Sequence, residues 1–144
     1  MKIMVGYDGT EVANAALELA RKHARAFKAT VYLVTSLERA SDKAWERSLV
    51  GVGTEETSPE YNQAMQRLEN AKTHFEQNNI PCTTSLSIRG LPPGEDLVEF
   101  AKENQIDEII IGAKRRSKMD KLIFGSTAQY VILHADCPVV TIKQ

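Results

Sequence analysis

Two kinds of segment alternate along the chain. The runs at 2–7 (KIMVGY), 30–35 (TVYLVT), 82–88 (CTTSLSI), 109–111 (III) and 139–142 (VVTI) are short and mostly rich in apolar or β-branched residues. Such runs predict strands, and the unbroken Ile109-Ile110-Ile111 predicts one buried on both faces, ended by Gly112. Between them, apolar residues recur at helical spacing. Residues 11–27 carry Ala13, Ala16, Leu17, Ala20, Ala24 and Phe27 on one stripe, and residues 60–78 carry Tyr61, Ala64, Met65, Leu68, Ala71 and Phe75. A shorter helix is predicted over 95–104, with Leu97, Val98, Phe100 and Ala101 turned inward, and another over 127–135 bearing Tyr130, Val131 and Leu133. Thr10 and Ser58 are placed to cap helices, the latter followed by Pro59 at a first helical position. Gly90, Pro92, Pro93 and Gly94 predict a turn, and Pro81 and Pro138 follow helix ends. Residues 38–57 fit neither pattern; they predict an excursion with a short helix around 42–49, positioned to cover a site.

Five strands alternating with four helices predict an α/β fold: one open parallel sheet with helices on both faces and right-handed crossovers. In the order 3-2-1-4-5 the direction of winding reverses between the first and fourth strands. Ligands of such sheets sit at that reversal, at the C-terminal strand ends. The first strand ends at Asp8-Gly9 and the fourth at Gly112, so these two ends would share one crevice.

Length and charge narrow the possibilities. A chain of 144 residues predicts one domain spanning 1–144. The net charge of -1 offers no global attraction to nucleic acid or an acidic membrane, and neither is an expected partner. No apolar run approaches the roughly 20 residues of a membrane span, and Asp8 and Glu11 interrupt any signal-peptide core. Cys82 and Cys137 stand alone, which fits a reduced, cytoplasmic compartment. His23, His74 and His134 fall on predicted helices and read as structural.

One stretch concentrates chemistry. The loop after the fourth strand holds Lys114, Arg115, Arg116, Lys118 and Lys121 against a single acid, Asp120. It leads into Gly125-Ser126-Thr127, where Ser126 reads as an N-cap with Gln129 three residues on, as in a capping box. Free backbone N–H groups and the positive end of a helix dipole favour a phosphate there. In that arrangement Gly112 permits close backbone approach, Gly125, Ser126 and Thr127 offer donors, and Arg115 and Arg116 neutralise charge. Asp8 is positioned to hydrogen-bond a base or ribose, or simply to serve the first helix as a cap. A solvated basic face is the plain alternative for the whole loop.

The opening KIMVGYDGTE and the closing IIIGAKRRSKMDKLIFGSTAQYVILHADCPVVTIK resemble the universal stress protein family, and the resemblance spans essentially the whole chain. It implies a Rossmann-like, adenine nucleotide α-hydrolase-like fold, ATP or AMP binding with or without Mg²⁺, and a homodimer formed through the last strand, Val139 to Ile142. The family's G-x-x-G-x9-G-[ST] motif falls on Gly112, Gly125 and Ser126, with Asp8 near adenine and ribose and Val34 to Ser36 bordering the base. The middle glycine position holds Arg115 instead. Either the loop rearranges so that Arg115 grips a phosphate, or its side chain fills the phosphate space.

Three functions follow as expectations. The first is a cytoplasmic stress-response protein acting as a nucleotide-sensitive dimeric regulator. The second is a slow ATPase, although GxxxxGK[ST] is absent and no general base meets the loop. The third is a nucleotide-free dimeric interaction module, its pocket closed by Arg115.

Overall fold

The computed structural model describes residues 1–37, 59–113 and 125–143. These form β1 (Lys2–Gly6), α1 (Glu11–Phe27), β2 (Thr30–Ser36), α2 (Pro59–Gln77), β3 (Cys82–Ser87), α3 (Pro93–Glu103), β4 (Glu108–Ala113), α4 (Ser126–His134) and β5 (Val139–Lys143). The strands make one five-stranded sheet in the order β3-β2-β1-β4-β5, and every pairing is parallel. The expected topology and its reversal point are therefore present.

The sheet is covered on both faces because its central strands are apolar on both. In β4, Ile110 joins the cluster of Ile3, Val5 and Leu33 beneath α1 and α2. Its neighbours Ile109 and Ile111 join Met4 and Val34 beneath α3 and α4. That alternation is the two-residue period of a strand, with both faces dry. Small residues on α1, Ala16, Ala20 and Ala24, let the helix lie close to the sheet. Lys28, Asn79 and Gln105 adopt positive φ just beyond α1, α2 and α3. Left-handed residues at these points turn each helix back toward its next strand.

Several boundaries differ from the pattern-based expectations, each for a local reason. The 90–94 turn is shorter than expected, since Pro93 and Gly94 already belong to the first turn of α3. Glycine is required at 94 by packing: a Cβ there would stand 2.8 Å from the Tyr130 Cβ of α4. Phe27 completes the α1 stripe in sequence but ends the helix beyond the sheet; it is 56% exposed, its ring edge-on to His23. Leu133 also points outward, 68% exposed. Pro59 does open α2, whereas Ser58 and the 38–57 excursion, with its short helix at 42–49, lie outside the described residues.

Candidate functional site

A cavity of about 270 Å³ opens at the C-terminal edge of the sheet, between the tips of β1 and β4. Small-molecule sites begin at about 300 Å³, so it is of the right order for one compact ligand. Asp8 and Thr10 contribute from the β1–α1 turn, Val34 to Ser36 from the end of β2, and Gly112 from β4. Pro93 and Leu97 of α3 and Gly125 to Ala128 at the start of α4 add to the described wall. Of the residues singled out by sequence, Asp8, Val34, Gly112, Gly125, Ser126 and Thr127 thus come together around one space. Lys114, Arg115 and Arg116 lie outside the described residues.

The β1–α1 turn is built by local hydrogen bonds. Thr10 caps α1, its Oγ1 accepting from the Ala13 N–H at 3.3 Å. The Asp8 carboxylate organises that cap, accepting from the Thr10 hydroxyl at 2.6 Å and from the Thr10 N–H at 3.0 Å. Asp8 therefore supports the cap rather than being it. Gly9 makes the turn possible with φ of 79°, where a side chain would be strained and would also meet Arg67. Tyr7 donates its hydroxyl to Asn14 Oδ1 at 3.0 Å. Burial raises the Tyr7 phenol pKa, with Arg67 pulling it down and Asp8 pushing it up. It remains a protonated donor near neutral pH.

Gly112 does not end its strand as expected. It lies within β4, paired with Ile142. A Cβ at 112 would sit 2.9 Å and 3.0 Å from the two Val12 methyls and 3.1 Å from the Val12 carbonyl carbon. Glycine here allows the start of α1 to press against β4. Its contact with the cavity is a second consequence of the same missing side chain.

The start of α4 also departs from expectation. The N-cap is Gly125, at φ -60° and ψ 158°, and Ser126 is the first helical residue. The Ser126–Gln129 capping box does not form; the Gln129 N–H bonds instead to the Gly125 carbonyl at 3.0 Å. Among the described residues, no side chain caps this helix. First-turn amides of a helix have no acceptor within it, so the N–H groups of Ser126 and Thr127 belong to a helix end beside the cavity that no described side chain caps. At Gly125 a Cβ would meet no described atom within 4 Å. Neither backbone strain nor crowding among the described residues calls for glycine there.

Other titratable groups are engaged elsewhere. His23 pairs with Glu108 at 2.6 Å and His74 with Glu18 at 3.0 Å, while His134 contacts the Tyr130 carbonyl. None of the three is in the described cavity wall. Both cysteines are free and half-buried. Burial pushes the Cys82 thiol up to about 12 and raises Cys137 as well, so neither is a ready nucleophile.

Sequence patterning passed over Asp96. It is 1% exposed, and its Oδ2 accepts the Ser36 hydroxyl hydrogen at 2.5 Å. The signal was available: on α3 an acid at 96 shares the inward stripe of Leu97, Phe100 and Ala101, where a carboxylate needs a partner.

An open parallel sheet with a helix N-terminus beside its reversal point defines a Rossmann-like α/β protein with a crevice at the strand ends. The chain belongs to the universal stress protein family, whose model matches residues 1–143. It is 28% identical to universal stress protein MJ0531 of Methanocaldococcus jannaschii, over 99% of this chain and 82% of that one. It is 26% identical to stress response protein NhaX of Bacillus subtilis, over 99% and 97%. Among solved structures, the universal stress protein from Archaeoglobus fulgidus in complex with dAMP is 30% identical, with a TM-score of 0.73 over 99% of this chain and 98% of that one. Among the described residues, no helix is long and apolar enough to cross a membrane.

Proposed function

We propose that this protein binds an adenine nucleotide, ATP or AMP, in the cavity between the tips of β1 and β4. The start of α4, which no described side chain caps, carries the proposal. Gly125, Ser126 and Thr127 present backbone donors at the positive end of a helix, beside space that no described side chain fills. The dAMP complex of the Archaeoglobus fulgidus relative supports an adenosine phosphate as the ligand. Asp8 and the end of β2 would face the nucleoside, and Lys114, Arg115 and Arg116 would approach the phosphates, with or without Mg²⁺.

The biological role follows as a nucleotide-sensitive regulator in the cytoplasmic stress response, working by binding rather than turnover. A nucleotide that holds one arrangement of the site more tightly than another shifts the population of states a partner meets. A homodimer through Val139 to Ile142 is part of the proposal. β5 is the outer strand of the sheet, and Ile132 and Leu133 of the preceding helix are exposed. An unpaired apolar edge is a hazard for a lone chain.

Calorimetric titration with AMP and with ATP tests the binding. Saturable heat is expected, together with about 2.7 kcal/mol of added stability at a ligand concentration about 100 times Kd. Absence of both heat and thermal shift at millimolar nucleotide would leave the interaction-module alternative standing.

A further inference from the structure

A second cavity, of about 210 Å³, lies beside the first. The two share the chain at Tyr7–Asp8 and Thr35–Ser36, but the rest of the second wall is its own. Glu60, Gln63, Ala64 and Arg67 supply most of it, a single face of α2 by their spacing. None of these four lines the first cavity. The space is small for a nucleotide and suits a smaller metabolite.

Arg67 is placed by a glycine. A Cβ at Gly9 would stand 2.8 Å from the Arg67 Cδ and 3.1 Å from its Nε, so the arginine arm lies across the β1–α1 turn where glycine leaves it room. Its charge reaches the Tyr7 phenol, where it opposes the larger rise caused by burial. Arg21 and Arg89 are paired with Glu18 and Glu103, whereas Arg67 forms no ion pair with any described residue. The hydroxyl hydrogens of the shared wall are already committed: Tyr7 donates to Asn14, Thr35 to the Tyr7 carbonyl and Ser36 to Asp96. A carboxylate entering this space is therefore left to Arg67, while Asp8 and Glu60 favour cationic donors. Two carboxylates against one guanidinium leave an excess of negative charge. Glu60 and Arg67 stand two helical turns apart, about 10 Å along α2, so the opposite charges address the cavity from its two ends.

We propose that this second cavity binds a basic amino acid of the lysine type. Its carboxylate pairs with Arg67, its terminal ammonium with Glu60, and its α-ammonium lies toward the charge of Asp8. The aliphatic chain between them runs along Ala64 and Leu37. The single positive charge of such a ligand offsets the excess in the wall, and charges at opposite ends of a carbon chain match the separation of Glu60 and Arg67 better than those of a compact zwitterion. The proposal goes beyond nucleotide binding and does not depend on it.

Calorimetric titration of the full chain with L-lysine, without nucleotide, is expected to give saturable heat. Cadaverine lacks the carboxylate and L-alanine lacks the second ammonium; each should bind at least about tenfold more weakly. Arg67→Ala should weaken lysine about tenfold and erase its advantage over cadaverine, and Glu60→Gln should weaken it similarly and erase its advantage over alanine. Both side chains are exposed, so both variants should fold with native Tm and bind AMP within about twofold of the native chain. No saturable heat at millimolar lysine, or a lysine affinity unchanged in either variant, overturns the proposal. Lysine lost with AMP retained removes this site alone; AMP lost with lysine retained upholds it and removes the nucleotide site.

Discussion

Gly125→Asp is expected to make the protein more stable and unable to hold a nucleotide. The backbone at 125, φ -60° and ψ 158°, already has the extended geometry of an N-cap. Aspartate is a better cap than glycine and its charge suits the helix dipole, together worth roughly 0.3–1 kcal/mol. That corresponds to a rise in Tm of roughly 1–4 °C for a chain of this size. The same carboxylate would occupy the space that a phosphate needs and repel it. Like charges a few ångströms apart near a surface cost several kcal/mol, so affinity for AMP should fall about a hundredfold or more. Gly125→Ser isolates the two effects: it improves the cap without charge, and affinity should fall less. Scanning calorimetry and titration on one preparation of each variant check both signs. Unchanged AMP affinity in Gly125→Asp would remove the α4 N-terminus from the binding site.

The opposite behaviour is expected at Gly112. In Gly112→Ala the new methyl would stand within about 3 Å of Val12, whose backbone is among the nearest atoms. Neither partner can rotate aside, because Val12 sits in the capped first turn of α1. Overpacking of this kind costs about 1–3 kcal/mol, or a fall in Tm of roughly 2–12 °C. Thermal unfolding of the variant without ligand measures it. A Tm within 1 °C of the native value, on the order of measurement error for such shifts, would show that α1 can move away from β4 freely. The two glycines of one motif thus act through different physics, one by packing within the protein and the other by leaving space beside it.

That difference marks how far sequence alone carries. The alternation of short apolar runs with helical stripes was sufficient for the element order, whereas the strand order 3-2-1-4-5, and with it the reversal between β1 and β4, came with the family resemblance. Asp8, Gly112 and Gly125 to Thr127 were singled out by residue type, and they do meet around one cavity. Their individual reasons were less legible. Gly112 looks like a strand terminator in sequence, because Val12 is distant along the chain and its contact is purely tertiary. Ser126 looks like a cap because serine usually is one, but the helix begins one residue earlier than that assignment requires. Asp8 proved to be a partner of the cap at Thr10, a two-residue relation that residue preference does not encode. The Ser36–Asp96 pair spans 60 positions, and no spacing rule joins the end of a strand to the first turn of a helix that far away. Phe27 and Leu133 belong to apolar stripes yet face outward, since a stripe does not say where its supporting surface stops.

Residue-resolved titration by NMR tests the central claim most directly. With ¹⁵N-labelled protein and AMP, the amides of Gly125, Ser126 and Thr127 are predicted to shift together and saturate at one concentration, along with Asp8 and Ser36. Saturable shifts confined to residues away from the tips of β1 and β4, with the start of α4 unmoved, would contradict it.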